Sequence, residues 1–191
     1  MIEAFVEKYV PHVRFDRREP FPLVAVGYTV FHQSGASPSC NMQLHLKPEE
    51  TVIEYAFYYD FDIQHLYDLE HAFVRLDKEG SVTGVISSFH GKFLNALLPG
   101  RTEFENSHPV LYAQPGKHAF MPKPEYFELA LERDACCNEY AGSDGLLIAP
   151  MFRDSLSKDP ETDRKIAAYI KEKYAFEPSW EFTDRCSAQP K

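Results

Sequence analysis

The sequence holds little of what several common function classes require. Its 191 residues include only four cysteines, one tryptophan and nine glycines. Cys40, Cys136, Cys137 and Cys186 contain an adjacent pair but no C-x-x-C. Neither a disulfide framework nor a zinc knuckle is indicated, and buried structural thiols are the simpler reading. No G-x-S-x-G, Walker or dinucleotide signature occurs, so the common nucleophile and cofactor classes are not signalled. No Lys/Arg run exceeds two residues, and 29 acidic against 20 basic side chains give a net charge of -9. That balance disfavours nucleic acid and anionic membranes as partners and favours cations. The longest apolar stretches, such as residues 145–152, are far below the roughly 18 residues a membrane span needs, so no integral membrane segment is expected. The N-terminus lacks a basic stretch followed by an uninterrupted apolar run, which makes a cytoplasmic location the expectation.

What is present reads as one domain with a β-sandwich core and peripheral helices, α+β overall. Apolar residues at 44% and charged residues at 26% suit a compact globule. Residues 51–59, 69–76, 81–89 and 109–113 carry β-branched and aromatic residues between turn signals. The D-K-E-G at 77–80 predicts an antiparallel hairpin between the second and third of these. Helical spacing marks residues 2–9, a short segment 93–98, and 125–139 behind Pro122 and Pro124. The strongest helix is 160–174, with Asp159 as cap, Pro160 at its first position, and Ile166, Ile170 and Tyr174 on one face. The sandwich core is placed at about residues 12–121 and a helical extension at about 122–191. Tyr55, Phe57, Tyr59 and Phe73 fall at alternate, core-like positions.

One segment concentrates chemistry. Residues 60–71, DFDIQHLYDLEH, pack four carboxylates and two imidazoles into twelve positions. If Asp68 begins a strand, a period of two sends Asp68, Glu70, Ala72 and Val74 to one face and Leu69, His71 and Phe73 to the other. Two carboxylates at the edge of an apolar core require a positive partner. A divalent cation is one solution, with His65 adding an imidazole nitrogen; a Lys or Arg from elsewhere is the other. His90, at a strand end before Gly91, and His118, after Pro115-Gly116-Lys117, are further candidates.

As a set, YAFYYDFDIQHLYDLEH, VRLD, FHG and HPVLYAQPGKHAFMP resemble the vacuolar protein sorting-associated protein 62 family. More distantly, QHLYDLEH is similar to the heptapeptide G-H-R-H-D-W-E of the necrosis- and ethylene-inducing peptide-like proteins. The resemblance spans about residues 51–121, with a fainter echo in VRFDRREPFPL. It implies a β-sandwich holding a divalent cation (Zn, Mn, Fe, Mg or Ca) in an acidic cavity. His65, Asp68 and Glu70 match metal-site positions, and Asp60 or Asp62 matches an upstream Asp. His90 and His118 match the sorting-family histidines. Gln64, Tyr67 and Leu69 depart from the heptapeptide.

Three functions follow. In the first, a metal-dependent hydrolase, a cation at His65, Asp68 and Glu70 activates water while His90 or His118 moves protons. The second is a non-catalytic module gripping a sugar, lipid headgroup or peptide. The third is structural, the acidic cluster pairing with Arg14, Arg75 or another base. If His90 and His118 join the cluster, the mixed nitrogen and oxygen set favours Zn, Mn or Fe over Ca, and metal binding falls through roughly pH 6 to 7.

Overall fold

The computed structural model describes residues 2–130, 132–148 and 154–184 and is a mixed α+β structure dominated by strands. A short helix α1 (Ile2–Glu7) precedes β1 (His12–Asp16), β2 (Ala25–Phe31) and the small hairpin β3 (Gly35–Ala36) with β4 (Gln43–Leu44). The long strands β5 (Thr51–Phe61) and β6 (His65–Leu76) follow, then β7 (Val82–Phe89), β8 (Lys92–Asn95), β9 (Phe104–Glu105), β10 (His108–Ala113) and β11 (Phe120–Met121). β12 (Gly145–Leu146), α2 (Pro160–Tyr174) and β13 (Phe182–Asp184) come last. One sheet has the order β2-β5-β6-β7-β8 with β12 on β6, and the other β11-β10-β1-β13 with β9 on β10.

Period-two patterning explains how these sheets face each other. Across the antiparallel β5–β6 pair, Ile53 meets Val74, Tyr55 meets Ala72, Phe57 meets Glu70 and Tyr59 meets Asp68, so these side chains share one face. That face packs against Phe15, Leu111, Ala113 and Phe120 of the opposite sheet. Tyr55, Phe57, Tyr59 and Phe73 are each at most 1% exposed, and burial of a ring this size contributes on the order of 2–3 kcal/mol. The other face carries Glu54, His71 and Phe73, and Phe73 sits with Leu44 and Val52 in a second apolar cluster beneath the β3–β4 hairpin. Both faces of the central strands are therefore covered.

The hairpin expected at 77–80 forms: β6 and β7 are antiparallel, Asp77 Oδ1 accepts the amides of Glu79 and Ser81, and Gly80 takes φ 79. Two helical expectations are corrected. Residues 92–95 form β8, because His90 (φ 49) and Gly91 (φ 72) make a two-residue left-handed turn pairing Phe89 with Lys92. Such turns match the twist of a hairpin and require positive φ at both central residues. Residues 125–139 form no continuous α-helix. Short 3-10 turns at Pro124–Leu129 and Ala135–Cys137 are separated by extended Ala130 and by Glu132 at φ 59, which no right-handed helix accommodates.

The helix α2 forms as its caps predict, with Asp159 Oδ1 accepting the amides of Glu161 and Thr162 at 2.9 Å each. Ile166, Ile170 and Tyr174 pack with Phe21, Ile63, Cys136, Cys137 and Ala141 into a separate apolar cluster. The Cys136–Cys137 thiols are free and buried there, in line with a packing role. No helix among the described residues is long and apolar enough to cross a membrane.

Candidate metal centre

The turn between β5 and β6 carries the first ligand-capable groups. Asp62 Oδ1 accepts the Gln64 amide at 2.6 Å, and the Asp62 amide donates to the His65 carbonyl at 2.9 Å, a side-chain-closed turn of the kind Asp favours. Buried Ile63 fixes this turn to two loops: its amide donates to Gly116 O at 2.7 Å, and its carbonyl accepts from Gly142 N at 2.8 Å. Gly116 is required here, since it has φ 68 and a Cβ would lie 2.8 Å from Ile63 Cβ. The turn's position is thus set by residues remote in sequence.

Asp62, His65 and Asp68 each offer a ligand atom within 4.8 Å of the others. His65 Nδ1 lies 2.8 Å from the Tyr67 carbonyl, which can only accept, so this nitrogen carries the proton. Nε2, 3.8 Å from Asp62 Oδ2, is then the nitrogen available to a cation, and a backbone carbonyl on the far nitrogen is the usual orienting arrangement of a metal-bound imidazole. Tyr67 itself lies at φ 66, a left-handed kink in the strand. The residues present therefore fit a borderline divalent cation: one oriented imidazole and two carboxylates.

Two cations of the chain already serve these carboxylates. Lys117 Nζ lies 2.9 Å from Asp62; burial works against its charge, but Asp62 more than offsets this and raises the ammonium pKa. Asp62 is correspondingly held below the usual carboxylate range, although burial opposes it, by Lys117 first and His65 next. His118 is fully buried, stacked on Tyr59 at 3.8 Å, with Nδ1 3.0 Å from Asp68 Oδ2 and Nε2 3.5 Å from Glu19 Oε1. Burial opposes its charge, yet Asp68 and Glu19 raise its pKa to about 10, so it is an imidazolium at neutral pH. Glu70 is next to Asp68 and takes a hydrogen bond from Ser88. Its burial, with the Asp68 charge second, raises the carboxyl well above the usual range, against the opposing pull of the Ser88 hydrogen bond and the His118 charge.

The structure thus brings His65, Asp68, Asp62, Glu70 and His118 into one neighbourhood. Asp60 is exposed on the opposite face of β5, beside Tyr58. His90 sits in the β7–β8 turn with Nε2 2.7 Å from Gln114 Oε1. Arg14 pairs with Glu105 and Asp184, and Arg75 with Glu50, so neither base serves the cluster. Sequence reasoning missed Glu19 and Lys117. Glu19 lies in the R-R-E-P of the N-terminal echo and Lys117 precedes His118, so both sat inside the resembling segments.

Beside the cluster lies a cavity of about 940 Å³. It opens along β6 between the residues that pair with β12 (His65, Leu66) and those that pair with β7 (from Ala72). Side chains satisfy this unpaired edge: the Leu69 amide donates to Asp68 Oδ1 at 2.9 Å and the His71 amide to Ser88 Oγ at 2.7 Å. Capped in this way, these two amides are not offered to another strand, and the edge forms one wall of the cavity. Asp68, Glu70, His71, Ser39 and Ser88 line the cavity together with the rings of Tyr58, Tyr67 and Phe93.

No family model matches the chain, and no curated protein does. Among solved structures it is similar to one described as NLPPya in complex with glucosamine, at 15% identity and TM-score 0.44. That likeness covers 61% of this chain and 64% of the other, so the chain spans just under two thirds of that protein. It is also similar to Necrosis and Ethylene inducing Protein 2 from the causal agent of cocoa's Witches Broom disease, at 19% identity and TM-score 0.42, over 79% of this chain and 87% of that one. Likeness of this degree says nothing about the site, whose reading rests on its own geometry.

Proposed function

We propose that this chain binds a divalent cation at Asp62, His65 and Asp68, with Glu70 completing the set. The cation then anchors a polyhydroxylated ligand, such as a sugar, in the adjoining cavity. The observation that carries this reading is the placement of His65: its Nδ1 is committed to the Tyr67 carbonyl, and its Nε2 is turned toward the Asp62 and Asp68 carboxylates. A bound cation supplies a Lewis-acidic point to which ligand hydroxyls can bind. Tyr58, Tyr67 and Phe93 offer rings to the apolar face of such a ligand, while Ser39, Asn41 and Ser88 offer hydrogen bonds.

Binding is favoured over hydrolysis because neither histidine suited to proton transfer is free. His118 is held as an imidazolium between two carboxylates, and His90 is engaged by Gln114 in a turn. Titration calorimetry of Mn²⁺, a cation poorly suited to thiolate, into chelator-stripped protein tests the reading. Binding of one equivalent, weakened at least about tenfold in both His65→Gln and Asp68→Asn, supports it. Equal affinity in wild type and both variants would overturn it. A monosaccharide panel, titrated with and without the cation, then tests the ligand class.

A further inference from the structure

We propose a second metal site, on the opposite face of the same two strands, formed by Cys40 Sγ, the Glu54 carboxylate and His71 Nε2. It would take a borderline or soft divalent cation such as Zn²⁺. The site shares no donor residue with the Asp62 cluster: register puts Glu54 and His71 on the outer face of β5 and β6, whereas Asp68 and Glu70 face the inner one. Cys40 comes from the β3–β4 loop, where its amide donates to Ser37 Oγ at 3.0 Å.

The three donor atoms lie within 4.8 Å of one another, with His71 Nε2 3.9 Å and Cys40 Sγ 4.0 Å from Glu54 Oε1. Tetrahedral coordination, with Zn–S near 2.3 Å and Zn–N near 2.0 Å, places such donors roughly 3.3–3.6 Å apart. Each contact to Glu54 needs a closing of about half an ångström, and the Cys40–His71 pair, which lies within 4.8 Å, a closing of at most about 1.3 Å, within the reach of side-chain adjustment. Ser39 Oγ lies 2.6 Å from Glu54 Oε1 and 2.9 Å from His71 Nε2, so a cation entering between them displaces it or takes it as a fourth donor.

A second observation asks for a cation here. Glu54 is 1% exposed; its Oε1 accepts from Ser37 and Ser39, while its Oε2 has no hydrogen-bond partner. Among the described residues the base recorded within ion-pair distance is His71. His71 is itself buried, at 4% exposure, and it is Nε2 of its ring that faces the carboxylate. A buried carboxylate lacking a charged partner is costly, and a divalent cation removes the cost. Cys40, Ser39 and His71 also line the cavity, which gives an ion a route in and leaves an open coordination position. Coordination through the thiolate would release the Cys40 proton.

Cobalt separates this site from the first, because a thiolate ligand produces a near-ultraviolet charge-transfer band that oxygen and imidazole ligands do not. The reduced, metal-free full chain is titrated with Co²⁺. The expected result is a charge-transfer band that saturates by two equivalents of added Co²⁺, absent in Cys40→Ser, weakened at least about tenfold in affinity in Glu54→Gln, and retained in Asp68→Asn. No band, or a band that persists in a folded Cys40→Ser protein, would overturn the proposal. Should that variant fail to fold, wild-type alkylation mapped by mass spectrometry decides: Zn²⁺ must protect Cys40, and equal labelling with and without Zn²⁺ refutes the site.

Discussion

His118 offers the most direct test of the electrostatic reading. It is 0% exposed, ion-paired with Asp68 and Glu19, and stacked on Tyr59, and its pKa rises from 6.5 to about 10. A raised folded-state pKa means that the folded chain keeps a proton the unfolded chain has lost. The resulting stability is complete below 6.5 and disappears as pH rises through about 10. The gap corresponds to roughly 5 kcal/mol, an upper figure for one buried ion-paired group. Between about pH 7 and pH 8.5 this residue alone should cost about 2 kcal/mol of unfolding free energy. Urea unfolding across that range, in chelator, reads the slope. Glu70, also raised, acts in the same direction, whereas the lowered Cys136 thiol acts against it, so the comparison is with His118→Gln. The variant should be about 3–5 kcal/mol less stable near neutral pH, because it leaves Asp68 and Glu19 without their shared cation. It should also lose one proton's worth of pH slope. Identical slopes in the two proteins, or a neutral His118 imidazole by ¹⁵N NMR near pH 8, would refute the reasoning.

Other outcomes follow from the same geometry. Gly142→Ala places a Cβ 2.2 Å from the Ala167 carbonyl at φ 78, so unfolding should show a loss of about 3 kcal/mol; a loss under about 1 kcal/mol would mean that α2 is not clamped there. Glu70→Gln mimics a carboxyl that is already protonated, so stability should move by less than about 1 kcal/mol while Mn²⁺ affinity in calorimetry falls at least about tenfold. The depressed His71 pKa, from 6.5 to about 4, gives stability that is present above 6.5 and lost as pH falls toward 4, roughly 3 kcal/mol in all. NMR titration should find His71 neutral at pH 5.5 to within about half a unit of that pH, and a protonated ring there would contradict it.

The parts of the site legible in the sequence were those governed by strand period. Asp68 and Glu70 share a face because two residues separate like positions on any strand, and Asp159-Pro160 marked α2 by capping chemistry alone. His90 read as a chemical candidate although His-Gly here is a left-handed hairpin turn, a local signal that was overlooked. Lys117 and Glu19 were beyond local reasoning: Lys117 reaches Asp62 across 55 positions, and Glu19 reaches the Gly116 amide across 97. The same holds for the Cys40, Glu54 and His71 grouping, which exists only once the β3–β4 hairpin folds over the outer face of the sheet. Composition foretold the need for a positive charge beside the acidic cluster; it could not say that the chain supplies two of its own.

Anomalous diffraction from crystals soaked in Mn²⁺ tests the central claim most directly. A peak is expected roughly 2.0–2.2 Å from His65 Nε2 and in ligand contact with Asp62 and Asp68. With Mn²⁺ at saturating concentration, no peak at those three side chains, with Lys117 and His118 still bridging the carboxylates, would contradict it.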